Sequence, residues 1–524
     1  MFRWPFGDMM HTLACVQLPM RYTVILLCCL SLCISNADRV NFSVAIIGVA
    51  EKYGFGKKAE GILLGAFFWG SLLAHVPGGF LSHRYGGKVV LGTGVIVWSF
   101  FTWLTVPSIV MSRGIWPVFC ARFIIGFAEG MCFPAVHGLL SRWTPETERS
   151  RAISLLMVSF AAGAIGTLLS APYLISAFGW ASVFYSYGML GFAWLPAWIY
   201  YATDHPAQNP FITQEEVDLI EGRQVQSSIN NSSSTSPNGR LHHELEGGHV
   251  SHGDASSGDG SQQLHLRRPR PGADGVEPGV GVVDEPMTPI LGGSSAKAPV
   301  KRSPSVVREV EGGGGVPWKV MLTSKEVWAI GIARYCDHWS TYLFATWLPS
   351  FFHDVFHVDI KKAGLFSVAP PIATIVSGLA SGVFADRMIA AGYKIVLVRK
   401  AIQTTGMLGC AVFLMLTASF ASTPSIAMLL LTTAVAFLSL TTSGVGANHL
   451  DIAPRHAGMV FSIGNAIGQM AGIVGVPTTG WILETFKGSA GSGGWPAVFA
   501  TAAFHLVIGA AVWLMFAAGA PVIH

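Results

Sequence analysis

The chain has 524 residues, 51% of them hydrophobic and only 12% charged, whereas an ordinary soluble domain carries about 25% charged residues. That composition excludes a water-soluble enzyme, and a formal net charge of +4 without a basic cluster excludes a nucleic-acid binder. Mean hydropathy is +0.50 although it averages in a polar stretch from Gly222 to Val316, so the remainder reads as membrane protein.

In chain order, apolar runs long enough to cross about 30 Å of hydrocarbon fall at about 22–48, 61–82, 89–110, 115–140, 152–176 and 182–201. After the polar stretch they resume at about 327–352, 363–385, 396–420, 425–447, 457–483 and 496–518. Six plus six predicts an all-α membrane protein of twelve transmembrane helices in two halves. The first run has the basic flank and apolar core of a signal peptide, yet the apolar pattern resumes after Asn36, Asp38 and Arg39 as VNFSVAIIGVA. A continuous spanning helix is therefore expected.

The implied division is an N-terminal segment 1–21, a first half 22–201, a linker 202–326, a second half 327–518 and a tail 519–524. Lys and Arg in the short loops favour the side bearing the termini by roughly twelve to seven, which predicts cytoplasmic termini and a cytoplasmic linker. The linker holds QVQSSINNSSSTSPNGR and a GGGG run, a composition that buries too little apolar area to offset the entropy of ordering. Its His242, His243, His249 and His252 are read as solvated polar residues. Asn231, in an N-x-S pattern, is expected to carry no glycan. The eight cysteines show neither disulfide nor zinc spacing, and no metal site is expected.

An internal repeat ties the halves together. GGFLSHRYGGK (Gly78 to Lys88) follows the second span, and GVFADR (Gly382 to Arg387) follows the second span of the other half. This arrangement resembles the major facilitator superfamily, whose loop motif G-x-L-A-D-R-x-G-R-K it matches, with His83 in place of the usual acid and Asp386 keeping it. NADRVNFSVAI, FFWGSLLAHVPGGFLSHRYGGK, RFIIGFAEGMCFPAVHGLLSRWTPETERSR and NHLDIAPRHAGMVFSIGNAIGQMAGIVGV resemble the anion transporters of solute carrier 17. Within that branch VPWKVMLTSKEVWAI and WLPSFF are most similar to the plant phosphate transporter 4 group. The resemblance implies a major facilitator fold of pseudo-symmetric halves, and the short N-terminus looks like the Golgi-type members.

An ionisable group inside a span is costly and asks for a partner or a task. Arg39, Arg122, Glu129 and Asp337 stand out on that ground. Arg122 and Glu129 are seven residues apart, about 700° of rotation, so they share a helix face with Gly126 between them. An arginine holding an oxyanion beside a titrating carboxylate fits that spacing; a snorkelling arginine or a static pair with Glu129 or Asp38 fits it too. Arg39 suits phosphate or carboxylate oxygens through bidentate geometry, with an Asp38–Arg39 bridge as the alternative. Family resemblance assigns substrate binding to Arg39 and Arg122 and coupling to Glu129.

On the seventh span, Tyr335 and Trp339 are expected to line the substrate site, along with Tyr342 and Trp347 unless these form a packing stripe. Asp337 and His338 are candidates for proton transfer. Glutamate carriers have an arginine at the place of Asp337 and a histidine at that of Leu64, so the departures here favour a small single-centre anion. His75 and His137 are expected to pack between helices. Gly464, Gly468 and Gly472 allow close helix approach, and Arg84, Asp386, Arg387, Asn448, Asp451 and Arg455 are gate or motif candidates.

The expected function is secondary active transport of an inorganic anion, phosphate first, across an organelle membrane by alternating access. Coupling is to protons or sodium, with no other cofactor and no enzymatic activity. Expected partners are the small anion and the lipid bilayer, not nucleic acid, for a monomer in the Golgi or another endomembrane, with the plastid envelope or thylakoid as alternative. The rivals are an organic-anion carrier for acidic sugars, dicarboxylates, glutamate or ascorbate, and a non-transporting sensor signalling through the central loop.

Overall fold

Each apolar run of the sequence becomes a long helix. The computed structural model describes residues 19–111, 114–145, 148–221, 318–487 and 493–523. The first half holds α1 (Met20–Tyr53), α2 (Lys57–Tyr85), α3 (Gly87–Met111), α4 (Trp116–Trp143), α5 (Arg149–Phe178) and α6 (Ala181–Tyr201). The second holds α7 (Lys325–Phe356), α8 (Ile360–Ala390), α9 (Ile395–Phe420), α10 (Pro424–Ile452), α11 (Ala457–Thr485) and α12 (Trp495–Phe516). α1 runs unbroken through Asn36, Asp38 and Arg39 for 34 residues, and Gly54 ends it in the left-handed conformation, φ 71°.

Among the described residues nine of these helices are long and apolar enough to cross a membrane. α2 makes a tenth, its arms bent by 50° at Pro77. α6 and α7 fall short for different reasons. α6 is dense in Tyr and Trp, whose polar tips suit a membrane interface, and α7 carries Arg334, Asp337 and His338 in its middle. Two spans are interrupted where the sequence supplies breakers. α8 restarts at Ala369 with prolines in its first turn. α10 passes through a 3₁₀ turn at Leu440–Ser443 before Val445–Ile452.

The halves repeat one packing scheme. α1 lies on α5 and α6, α2 on α4, and α3 on α4 and α6; correspondingly α7 lies on α11 and α12, α8 on α10, and α9 on α10 and α12. Between the halves α2 packs on α11, α5 on α8, and α1 on α7. The matched contacts relate the halves by a pseudo-twofold.

The expected linker is not a tether from its first residue. Thr213 caps a short helix at Gln214–Ile220, and the buried Glu216 accepts hydrogen bonds from the backbone N–H of Met20 (3.0 Å) and Arg21 (2.9 Å). A carboxylate there satisfies free donors at the N-terminus of α1 and complements its dipole. Residues 222–317, including the histidines and Asn231 discussed above, lie outside the described residues, as do residues 1–18.

On the side opposite the termini the halves are tied together. Lys57 Nζ of α2 reaches Asp354 of α7 at 2.9 Å and Glu60 at 3.3 Å. Glu484 of α11 accepts from the Lys57 backbone N–H at 2.7 Å, and His353 stands 3.6 Å from Glu51 of α1. On the termini side, among the described residues, no hydrogen bond or ion pair joins the halves. The described structure is thus latched on the side opposite the termini.

Candidate functional site

Three glycines set the site's geometry. A Cβ on Gly126 of α4 would collide with the backbone carbonyl of Phe67 on α2, and one on Gly70 with that of Phe123; one on Gly130 would stand 2.9 Å from the Ser71 carbonyl. α2 and α4 therefore touch backbone to backbone, and the Phe67 ring is pressed in among the charged groups of the half. The Arg39 guanidinium lies 4.3 Å from the Phe67 centroid and 5.6 Å from that of Phe160. Arg122 lies 4.4 Å from Phe42 and 5.6 Å from Phe67. Two guanidinium groups from α1 and α4 thus share one ring, each held by cation–π attraction. Such contacts orient an arginine without using its N–H donors.

Those donors are underused. The Nε atoms of Arg39 and Arg122 are both buried without a hydrogen-bond partner. Arg122 lies within electrostatic reach of Asp38 and Glu129, yet among the described residues no carboxylate closes an ion pair on it. Glu129, seven residues along α4, pairs instead with Arg39, Oε2 to Nη2 at 3.9 Å, and accepts from Ser35 Oγ at 2.8 Å; its Oε1 has no partner. Arg39 keeps 19% of its side chain exposed, against 1% for Glu129. Asp38 turns the other way, as the 100° step between neighbours requires, and accepts from Asn41 Nδ2 at 2.7 Å and from Thr102 Oγ1 of α3. No Asp38–Arg39 bridge forms.

In the second half, Asp337 accepts from Thr441 Oγ1 at 2.9 Å, tying α7 to the broken turn of α10. Its other oxygen stands 3.5 Å from His338 Nδ1. The His338 ring meets that of Tyr342 edge-on at 5.3 Å. Tyr342 donates to Gln469 of α11 at 2.7 Å, and Gln469 donates to Ser71 of α2 at 3.3 Å, a bridge between halves. Tyr342 also lies 4.3 Å from Phe68, ring to ring, and within electrostatic reach of both Arg39 and Arg334. Tyr335 and Trp339 sit apart from this face: Trp339 is stacked on His505 of α12 at 3.9 Å, 5% exposed, with Tyr335 6.0 Å from both rings.

Of the gate candidates, Asp451 is held by Arg399 of α9 at 2.8 Å, and Asn448 donates to the Ala518 carbonyl at 2.7 Å. Both fasten the end of α10 within its own half. Arg84, Asp386, Arg387 and Arg455 are exposed and show no ion pair among the described residues; Arg84 covers its neighbour Tyr85. His75 bonds the Ser71 carbonyl and His137 that of Phe133, each one helical turn back. Among the described residues no cluster of His, Cys, Asp or Glu suits a metal ion.

Sequence reasoning missed Phe67, Ser35 and Thr102, each an ordinary residue on an apolar helix. It also missed Arg334, which the cost of an intramembrane charge would have flagged. Arg334 rests on Phe461 of α11 at 5.0 Å with its buried Nε unpartnered.

Comparison with known proteins bears on this geometry. The family model of the Major Facilitator Superfamily matches residues 28–399. The chain is 31% identical over 508 residues to "Probable anion transporter 4, chloroplastic" of Oryza sativa subsp. japonica, covering 97% of this chain and 70% of that one. It is 31% identical to the "Ascorbate transporter, chloroplastic" of Arabidopsis thaliana (96% and 76% covered). It is 30% identical to the "Sodium-dependent phosphate transport protein 1, chloroplastic" of the same plant (97% and 81% covered). Its fold is that of a bacterial homologue of the human lysosomal transporter Spinster, inward-facing and unoccupied, with TM-score 0.63 at 14% identity over 95% of this chain and 97% of that one.

Proposed function

The chain belongs to the Major Facilitator Superfamily, as a multi-pass membrane protein of its anion-transporter branch, and from that membership we propose that it carries a small oxyanion, phosphate first, by proton-coupled alternating access. The observation that carries this reading is the pair of guanidinium groups, Arg39 and Arg122, converging on Phe67 with free Nε donors. Buried donors without an acceptor are costly, and an anionic cargo relieves the cost.

Charge balance supplies the coupling. Mid-span, Arg39, Arg122 and Arg334 are matched in number by Asp38, Glu129 and Asp337, so the resting set is neutral. Asp38 and Asp337 are occupied by hydrogen-bond donors, which leaves Glu129, paired with Arg39, as the group that competes with cargo. Protonating Glu129 frees Arg39 and leaves one net positive charge, matched by a monoanion. Cargo and proton then move together, because each favours the same arrangement of Arg39.

Sodium is a second reading for the driving ion, favoured by the buried, unpartnered Asn41 Oδ1 beside Asp38 and Thr102, an all-oxygen donor set of the kind hard cations take. For the cargo, a relative named for ascorbate and one named for phosphate are about equally similar, so an organic monoanion is the alternative. The compartment we propose is a plastid membrane. All three relatives are named chloroplastic, which gives the expected Golgi location no support; that expectation leaned on the first twenty residues alone.

The test is uptake of labelled phosphate by proteoliposomes under imposed proton, sodium or voltage gradients. Uptake by the parent under a proton gradient, and its loss in Arg122→Ala at unchanged thermal unfolding, is expected. Uptake abolished by excess ascorbate, sialate or glutamate but not by phosphate would reassign the cargo. Persistent uptake after deletion of 222–316 would exclude a sensor acting through that loop.

A further inference from the structure

We infer that Arg334, with His338 and Tyr342 one and two turns along the same face of α7, is the second half's ligand for the anion, so that the cargo is an oxyanion gripped by guanidinium groups from both halves. The inference rests on the transport reading above and extends it to a subsite that the first half does not contain.

Arg334 is a mid-span cation with no ion pair among the described residues. Asp337, the acid within its electrostatic reach, already accepts a hydrogen bond from Thr441. Its Nε is buried without a partner, as is His338 Nδ1. At two positions the facing helix brings glycine backbone, not a side chain, toward them. A Cβ on Gly464 would stand 4.0 Å from Arg334 Nε, and one on Gly468 would stand 3.4 Å from His338 Cγ and 3.5 Å from Arg334 Cβ. These two glycines therefore place no side chain of their own against Arg334, which α11 otherwise contacts through Phe461.

Position within the fold points the same way. α1 and α7 hold corresponding places in the two halves, and each contributes an arginine resting on an aromatic ring, Arg39 on Phe67 and Arg334 on Phe461. Tyr342 lies within electrostatic reach of both. Like charges facing each other across an empty site resist closure of the halves. An oxyanion with several acceptor oxygens lying between them removes that repulsion and satisfies donors on both sides. Arg334 would thereby make closure depend on cargo.

The test uses the full chain in proteoliposomes with labelled inorganic phosphate. Arg334→Gln should raise KM about tenfold or more, and Arg334→Lys should fall between it and the parent, since a point charge does not replace a fork of donors. The double variant Arg334→Gln/Asp337→Asn separates a ligand from a structural counter-charge: it should stay impaired. A KM within about twofold of parent in Arg334→Gln, or recovery of parental KM in the double variant, would overturn the inference while leaving the transport reading intact. Should Arg334→Gln fail to fold, Arg334→Lys carries the test, and a parental KM there overturns it. A parent that takes up phosphate under no gradient would remove the transport reading and this inference with it.

Discussion

Replacing Glu129 by Gln removes one charge and little else. The amide oxygen can still accept from Ser35 Oγ, now 2.8 Å from Oε2, and the volume is unchanged. What disappears is the pairing of Oε2 with Arg39 at 3.9 Å. At an effective dielectric of about 20, two unit charges that far apart attract by about 4 kcal/mol, most of it cancelled by the cost of desolvating them. A surplus of only about 1.4 kcal/mol, released when Arg39 loses its internal competitor, tightens anion binding tenfold. Glu129→Gln should therefore bind phosphate about tenfold more tightly and exchange it across the bilayer, yet fail to accumulate it when a proton gradient is imposed. Counterflow of labelled phosphate and gradient-driven accumulation, measured on the same vesicles, separate the two. Accumulation that keeps its dependence on the proton gradient, or an affinity weaker than parent, would refute the competition between cargo and Glu129.

Gly126→Ala should cost about 1–3 kcal/mol of stability, because the new Cβ meets a backbone carbonyl that cannot rotate aside. It should also weaken phosphate binding by moving Phe67 from under both arginines; thermal unfolding and binding on one preparation check the pair of effects. Lys57→Ala removes the cation shared by Glu60 and Asp354 and should shift the halves toward opening on the far side by about 1–3 kcal/mol, roughly 5- to 150-fold in population. Spin labels at Lys52 and Lys361 should then show a new, longer distance; an unaltered distribution would remove the latch from the account.

How much of this was legible in the sequence depended on whether a residue's meaning is local. Apolar run length is local, and it placed all twelve helices. The break in α10 arises from TTSG within an otherwise apolar run, and run length passes over it. Arg39, Arg122 and Glu129 were visible because a charge in a span is conspicuous. Their pairing was not: helix periodicity joined Glu129 to Arg122 on α4, whereas the approach of α1 gives Glu129 to Arg39. Phe67 had no signal, being one aromatic among many until Gly126 fixes where its backbone lies. Trp339 reads like a cavity residue from its neighbours on α7, but His505 and Gly475 of other helices claim its surface. Arg334 had the same signal as the other arginines and was passed over.

The most direct measurement is a structure of the full chain solved with arsenate, an electron-dense stand-in for phosphate. The account predicts anion density above the Phe67 ring, within hydrogen-bond distance of donors on both Arg39 and Arg122, with Arg39 drawn away from Glu129. Arsenate bound elsewhere, with Arg39 still paired to Glu129, would contradict it.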